Sequence, residues 1–297
     1  MGNKKSVLLT GTTGFIGSNL AKHLVKLGNE VHIIVRRSSN LNLLDQICND
    51  IHIHLHNGST SGMKSIMKAA KPDCVFHLAS LFLAEHRSQD VTALVKSNIL
   101  FGTQLLDAMA EYGVQELINA STSWQHYQNS PYDPVCLYAA TKQAFEDIMV
   151  YYYNTKSMRL ISLELFDTYG PNDQRHKLFY LLEKASQCKD PIRMSPGEQL
   201  IDLVYIDDVI DAFMIAEDLV SKEKMNRKYM VTSGNPVKLR EIVNIYKEIT
   251  NQNINIEWGG LPYREREVMI PWNSGEILPG WSPKIDLRKG ISMVVKK

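Results

Sequence analysis

The sequence predicts an α/β protein: a doubly wound parallel sheet followed by a smaller C-terminal substrate lobe. Short apolar runs alternate with helix-spaced segments through the first half of the chain, the signature of parallel strands covered on both faces. The first run, Ser6-Val7-Leu8-Leu9-Thr10, stops at glycines three apart, Gly11-Thr12-Thr13-Gly14-Phe15-Ile16-Gly17. It then opens into Ser18-Asn19-Leu20-Ala21 at helical spacing. Beyond Gly170-Pro171 the alternation loosens, with Pro191, Pro196 and Gly197 punctuating it.

Strand, tight turn and helix in that order form the phosphate end of a Rossmann dinucleotide site. Gly11 permits the turn, Gly14 lets a pyrophosphate approach the backbone, and Gly17 lets the helix pack on its strand. Thr13, Phe15 and Ile16 complete the contact surface, and the helix N-terminus offers free N–H groups to phosphate. Further strands are expected at 30–35, 51–55 and 73–78, with helical stretches near 41–48 and 63–70. A long helix over 90–112 ends at Gly113 as its C-cap. Strands at 117–120 and 159–165 follow, then a strand at 203–206 leading a helix to Ala216, a helix over 239–250 and a short strand at 254–258. Residues 1–170, rejoined by 201–234, read as an NADP-binding core, and 171–200 with 235–297 as the substrate-binding lobe.

The totals exclude several classes. A length of 297 residues, 44% hydrophobic and 22% charged, is ordinary for a globular enzyme, and a net charge of +1 gives no electrostatic case for nucleic acid or an anionic membrane. Cys48, Cys74, Cys136 and Cys188 are scattered without metal spacing, which fits reduced thiols in the cytoplasm. The start Met1-Gly2-Asn3-Lys4-Lys5 lacks a signal-peptide apolar core, and Gly2 lies too close to a core strand to read as an acylation site. His52, His54 and His56 alternate along one strand with no Cys or Glu beside them in sequence, so a polar strand edge and no metal is expected.

The second strand ends in Arg36-Arg37-Ser38-Ser39 rather than in the carboxylate that grips a free ribose 2′-hydroxyl. Two guanidiniums and two hydroxyls suit a 2′-phosphate, which predicts NADP(H). Asn57-Gly58, closing the third strand, is placed to set an amide beside the adenine or to form a plain turn. Leu137-Tyr138-Ala139-Ala140-Thr141-Lys142 begins a helix, so Tyr138 and Lys142 share a face. A neighbouring ammonium is expected to lower the phenol's pKa and make it a proton exchanger. Ser121-Thr122-Ser123, just past the fifth strand, offers hydroxyls for the reacting oxygen.

Taken together, the Thr10-to-Gly17 turn, Asp73-to-Ala79, Asn98 with Gly102-Thr103, Ser121-to-Ser123, Tyr138 with Lys142, Leu165-to-Pro171 and Asp202-to-Val209 resemble the extended short-chain dehydrogenase/reductases. Within them the likeness is to the NAD-dependent epimerase/dehydratase branch, which acts on nucleotide sugars. The resemblance implies that Tyr138 and Lys142 are catalytic and that Leu78, Ala79 and Ser80 line the cofactor's ribose and nicotinamide, with Lys142 also reaching the ribose hydroxyls. By the family pattern Ser123 is favoured as the catalytic hydroxyl, four residues before Tyr127, with Gln128 replacing the family's glycine and Ser121 and Thr122 still candidates. Ser80, Ser123, Trp124, Asp167 and Met194 would face the substrate.

Three departures shape the reading. Ser123 is followed by Trp124-Gln125 instead of the Asp-Glu pair of the dehydratases, so dehydration is disfavoured. Ile201 precedes Asp202 where many members carry a diphosphate-gripping arginine, so Arg264, Arg266 or Arg193 must supply that cation. Asn98 and Gly102 stand one residue further apart than usual. The stretches around Trp124, Thr168 and Met194 look most like nucleotide-sugar 4-ketoreductases of deoxysugar and bacterial surface-polysaccharide supply, which use a CDP- or dTDP-linked substrate. Beside that reading stand an epimerase with tightly held NAD and a non-catalytic dinucleotide-binding redox sensor. Helices 90–112 and 138–153 carry apolar residues (Val91, Leu94, Val95; Phe145, Ile148, Met149, Tyr152), and in the family such helices pair across a two-fold axis, so a homodimer is expected.

Overall fold

The computed structural model describes residues 4–188 and 190–296; the lead-in read at residues 1–3 lies outside the described residues. In chain order, β1 (Ser6–Thr10), α1 (Phe15–Lys26), β2 (Glu30–Val35) and β3 (Ile51–Leu55) build the first half-sheet. Then come α2 (Thr60–Ala70), β4 (Cys74–His77), α3 (Val91–Val95), α4 (Phe101–Tyr112), β5 (Glu116–Thr122), α5 (Leu137–Lys156) and β6 (Arg159–Leu165). The remainder comprises β7 (Asp167–Tyr169), α6 (Leu178–Ser186), β8 (Ile192–Met194), β9 (Leu200–Ile201), β10 (Leu203–Tyr205), α7 (Ile206–Lys222) and β11 (Asn226–Val231). It ends with β12 (Val237–Lys238), α8 (Leu239–Thr250), β13 (Ile256–Trp258) and α9 (Leu287–Val295).

Seven strands form one parallel sheet in the order β11-β6-β5-β4-β1-β2-β3. The order reverses between β1 and β4, which opens a crevice at their C-terminal ends, the place where such sheets bind ligands. The pleat sends alternate residues of β1 to opposite cores. Val7 and Leu9 join Leu20, Leu24, Phe76 and Phe213 on one face, while Leu8 joins Met63, Met67, Leu105, Phe145 and Met149 on the other. No helix among the described residues is long and apolar enough to cross a membrane, and the four cysteines are free.

Several elements depart from the sequence reading. The stretch expected as a helix near 41–48 is a 3₁₀ segment, Asn42–Ile47. The strand at 203–206 does not return to the central sheet; β10 pairs with β7 in a two-stranded parallel ribbon. The seventh sheet strand is instead β11, whose polar start Asn226-Arg227-Lys228 hides an edge strand from a search for apolar runs. Helices α6 and α9 were likewise unanticipated.

The long helix over 90–112 is continuous but not uniform. Between α3 and α4 the segment Lys96–Leu100 forms a π turn. A π turn takes one more residue than an α turn, and so it absorbs the extra residue between Asn98 and Gly102. Asn98 thereby stays buried, accepting from the Leu81 amide (2.7 Å) and donating to the Leu81 carbonyl (3.0 Å) and Thr141 Oγ1 (2.9 Å). Thr141 in turn donates to the Tyr138 carbonyl at 2.7 Å. One amide therefore ties the loop after β4 to the start of α5. Replacing Asn98 with Ala removes these bonds from the Leu81 amide and carbonyl and is expected to lower stability by about 1–3 kcal/mol; urea unfolding reads the change, and an unaltered midpoint would contradict this role.

Candidate active site

The glycine turn is held by backbone contact. Gly11 has φ +77°, and a Cβ there would lie 2.6 Å from both the Leu78 carbonyl carbon and the Ala79 nitrogen. A Cβ on Gly17 would lie 2.7 Å from the Gly11 carbonyl carbon. Both positions therefore demand glycine. Gly14 is the N-cap of α1, with no side-chain cap and no acidic residue in the first turn. The hydroxyl of Thr12 is buried without a partner among the described residues. An uncapped helix N-terminus and an orphaned buried hydroxyl suit an anionic phosphate group, so the residues present fit a dinucleotide. Of the other turn residues, Thr13 and Ile16 are half-buried, and Phe15 lies beneath the Arg175 guanidinium, 4.6 Å from ring centre to carbon.

At the end of β2, Arg36, Arg37 and Ser38 are exposed, and neither guanidinium has a partner among the described residues. The turn is closed by the Arg36 amide donating to Ser39 Oγ at 3.0 Å. Asn57 spends its side-chain oxygen on the Ser59 amide (3.0 Å) and hydroxyl (2.7 Å), so it builds the turn before α2 and leaves only its NH₂ free. Gly58 follows with φ +87°. After β4, the Leu78 amide donates to the Thr10 carbonyl (3.3 Å) and the Ala79 amide to Thr10 Oγ1 (3.1 Å).

Ser80, one residue on, meets the Tyr138 phenol, as does Thr122 at the end of β5. The ring of Phe82 stands edge-on to Tyr138 at 5.0 Å and to Trp124 at 5.4 Å. Burial pushes the phenol up to about 12, and the Ser80 and Thr122 hydrogen bonds oppose this only in part. This reverses the expectation of a lowered value: desolvation outweighs any influence of the Lys142 ammonium. Tyr138 is thus a neutral acid at physiological pH. Of the three hydroxyls considered, Ser121 bonds Gln125 at 3.4 Å, while Thr122 both meets the phenol and accepts from the Trp124 amide at 3.3 Å. The Ser123 hydroxyl has no partner among the described residues. Sequence reasoning favoured Ser123; the geometry adds Thr122 and Ser80 around Tyr138.

Lys142 is 2% exposed and its ammonium has no hydrogen-bond or ion-pair partner among the described residues. Burial lowers its pKa to about 8 against a partial counterweight from Glu146. Burial, with the Lys142 charge adding to it, lowers His77 to about 3, so that imidazole is neutral.

A cleft of about 1220 Å³ opens beside Phe82 and Trp124, lined also by Asp167, Arg175, Lys177 and Arg264. Burial would raise Asp167, but Lys177 at 2.8 Å, aided by Arg175 and Arg264, holds it below the usual carboxylate range. Arg264 lies over the Trp124 ring at 5.3 Å and pairs with Glu267 at 3.1 Å. The other two arginines put forward from sequence are elsewhere: Arg193 is exposed against Glu257 and the Gly260 carbonyl, and Arg266 pairs with Asp133 over the Tyr127 ring. Met194 is buried in the core, where β8 pairs with β13, and does not line the cleft. Sequence reasoning missed Arg175 and Lys177, although the run Asp173-Gln174-Arg175-His176-Lys177 directly after Gly170-Pro171 was a usable signal.

Because the folded-state pKa of Lys142 lies below its ordinary 10.5, the buried ammonium destabilises the unliganded fold below pH 8. That cost fades as pH rises from 8 toward 10.5. Replacing Lys142 with Met is therefore expected to stabilise the unliganded protein at pH 7 by up to about 3 kcal/mol, with a smaller gain at pH 9.5. Urea unfolding at the two pH values checks this, and a variant less stable than the parent at pH 7 would contradict it.

A model of the NAD dependent epimerase/dehydratase family matches residues 7–231. The chain is 25% identical over 304 residues to CDP-abequose synthase of Salmonella typhimurium, covering 99% of this chain and 98% of that one. It is 24% identical over 309 residues to UDP-glucuronate 4-epimerase of Thermodesulfobacterium geofontis, covering 97% and 94%. Among solved structures, UDP-glucose 4-epimerase of Thermus thermophilus in complex with NAD has a TM-score of 0.83 at 23% identity, covering 97% of each chain. UDP-glucuronic acid 4-epimerase of Bacillus cereus, in complex with UDP-glucuronic acid and NAD, has a TM-score of 0.84 at 22% identity, covering 97% and 96%. The structures share the fold, and the family model runs from the first strand through the last strand of the central sheet: this chain belongs to the NAD dependent epimerase/dehydratase family of extended short-chain dehydrogenase/reductases.

Proposed function

We propose that this protein is an NADPH-dependent reductase of the C4 ketone of a nucleotide-activated 4-keto-6-deoxyhexose, CDP- or dTDP-linked. The observation that carries the reading is the pair of unpartnered guanidiniums, Arg36 and Arg37, closing β2 where an NAD site needs a carboxylate. A 2′-phosphate matches them in charge and in geometry. Full-length similarity to CDP-abequose synthase supports the substrate class. In this reading residues 1–170 with 201–234 hold the cofactor, and 171–200 with 235–297 close over the sugar nucleotide.

When bound, the reduced dinucleotide supplies the hydride that such a reduction requires. The chain's own residues do the rest. Tyr138, undissociated at neutral pH, donates its phenolic proton to the C4 oxygen as the ketone becomes an alcohol. The free hydroxyl of Ser123 holds that oxygen, Thr122 and Ser80 orient the phenol, and Lys142 binds the cofactor's ribose hydroxyls. Arg175, Lys177 and Arg264 are among the cations of the cleft and suit the substrate diphosphate, and Trp124 with Phe82 forms part of its apolar wall. The dimer expected from the family would form on Val91, Val95, Val150 and Tyr151, which are exposed. Leu94, Phe145, Met149 and Tyr152, named from sequence for that face, are buried within the monomer because their side of each helix meets the sheet core.

A 4-epimerase is the second reading, favoured by the 24% identity to UDP-glucuronate 4-epimerase over nearly the whole chain. Cofactor accounting separates the two. A reductase consumes one NADPH per sugar converted, whereas an epimerase consumes none. Tyr138→Phe is expected to lower turnover by about 10²–10⁴-fold with NADPH affinity nearly unchanged; retention of most activity would refute the proton donor. Arg36→Ala combined with Arg37→Ala should erode the preference for NADPH over NADH by on the order of tenfold or more, and an intact preference in steady-state kinetics would overturn the cofactor assignment.

A further inference from the structure

At the opposite end of the sheet from the glycine turn, near the first residues of β2 and β3, lies a cluster that the proposed reaction does not use. The parallel register pairs His32 with His52 and Ile34 with His54. Period-two alternation then sets Glu30 and His32 of β2 on the same sheet face as His52 and His54 of β3. Glu30 Oε1 lies 3.4 Å from His32 Nε2 and 3.5 Å from His52 Nε2, and the three atoms all fall within 4.8 Å of one another. His32 is 5% exposed, yet its Nε2 has no hydrogen-bond partner, since the contact to Glu30 is an ion-pair distance without hydrogen-bond geometry. The sequence reading weighed β3 alone and found no carboxylate; the register brings one from the neighbouring strand.

We propose that Glu30 Oε1, His32 Nε2 and His52 Nε2 form a binding site for a divalent transition-metal ion, zinc by ligand preference, which clips the edge strand β3 onto β2. A tetrahedral zinc with bonds of about 2.0–2.1 Å sets its ligand atoms roughly 3.3–3.4 Å apart, close to both distances from Glu30. His52, whose side chain is 58% exposed, stacks its ring on that of His32 with centres 4.6 Å apart and must turn the ring toward that point, while Glu30, 44% exposed, leaves an entry path and room for a water as fourth ligand. Two imidazoles and one carboxylate select zinc-like ions over calcium or magnesium, which take oxygen ligands.

The second layer is also in place. His32 Nδ1 and His54 Nε2 are 2.9 Å apart. When His32 donates that hydrogen bond, its Nε2 keeps the lone pair a metal needs, and its ring is fixed in orientation. Burial first, and then the neighbouring imidazoles, lower the His32 pKa, against an opposing pull from Glu30.

The test uses the full-length protein without any polyhistidine tag, stripped of metal by a chelator and titrated with Co²⁺ and with Zn²⁺. One equivalent of Co²⁺ should bind with the intense visible absorption of four-coordinate cobalt, displaced by Zn²⁺, and Zn²⁺ should raise the melting temperature. Glu30→Gln and His52→Ala alter exposed side chains and keep the buried His32. Each should weaken binding by about tenfold or more and abolish the thermal shift, while NADPH binding stays as in the parent. His86→Ala, at an exposed histidine outside the cluster, should change nothing. Absence of stoichiometric uptake by the parent, or uptake unchanged in both the Glu30 and His52 variants, would overturn the site.

Discussion

The close passage of the β1 turn against the β4 turn is the constraint on which the active site depends. Gly11 touches the backbone of Leu78 and Ala79 so tightly that no side chain fits between them. Thr10 locks the same junction, meeting His77 Nδ1 at 2.8 Å and the Ala79 amide at 3.1 Å. Ser80, one residue further, then faces the Tyr138 phenol. In the proposed mechanism, the turn that would meet the cofactor's phosphates and the group that would meet the reacting oxygen are thus fixed to one another by a few residues of backbone. Asn98 extends the connection by tying Leu81 to Thr141 and so to the carbonyl of Tyr138.

Electrostatics at this junction follow from burial more than from pairing. Tyr138 and His77 are both held neutral, and Lys142 is the one group there that keeps a charge at neutral pH, weakly. A charge buried without a partner costs stability. It is tolerated where a ligand's hydroxyls complete its hydrogen bonding, so the strain in the unliganded fold is itself a sign of function. Glu146 and Glu164 are by contrast paired: Lys228 reaches one oxygen of Glu146 at 2.6 Å and His126 reaches Glu164 at 2.6 Å. That network supports β5 and β6 from below without entering the cleft.

What the sequence made legible was whatever depends on local pattern. Strand β1, its glycine turn, the bounds of β2, β6 and α8, and the Tyr138–Lys142 pair all follow from apolar periodicity and residue type over a few positions. What escaped depends on distant segments meeting. Strand β11 is an edge strand with a polar start, so only its pairing with β6 reveals it. The π turn that rescues Asn98 shows in sequence merely as a misplaced residue. Thr122 joins Ser123 as a candidate beside Tyr138 because β5 runs two residues past its apolar stretch before the chain turns. Arg266 is one of three arginines the sequence offers for the diphosphate, and its ion pair with Asp133 is a contact between segments 133 residues apart in sequence. The Glu30, His32 and His52 cluster likewise exists only through the register of two strands.

Label transfer from the reduced cofactor to the sugar tests the proposed chemistry most directly. Incubation with NADPH carrying deuterium on the transferable position and a nucleotide-linked 4-keto-6-deoxyhexose should yield a product with one deuterium at C4, formed in step with cofactor oxidation. A 4-keto sugar left unreduced with no cofactor consumed, while a nucleotide sugar bearing a C4 hydroxyl is inverted at C4 with no deuterium gained, would contradict net reduction and establish epimerisation in its place.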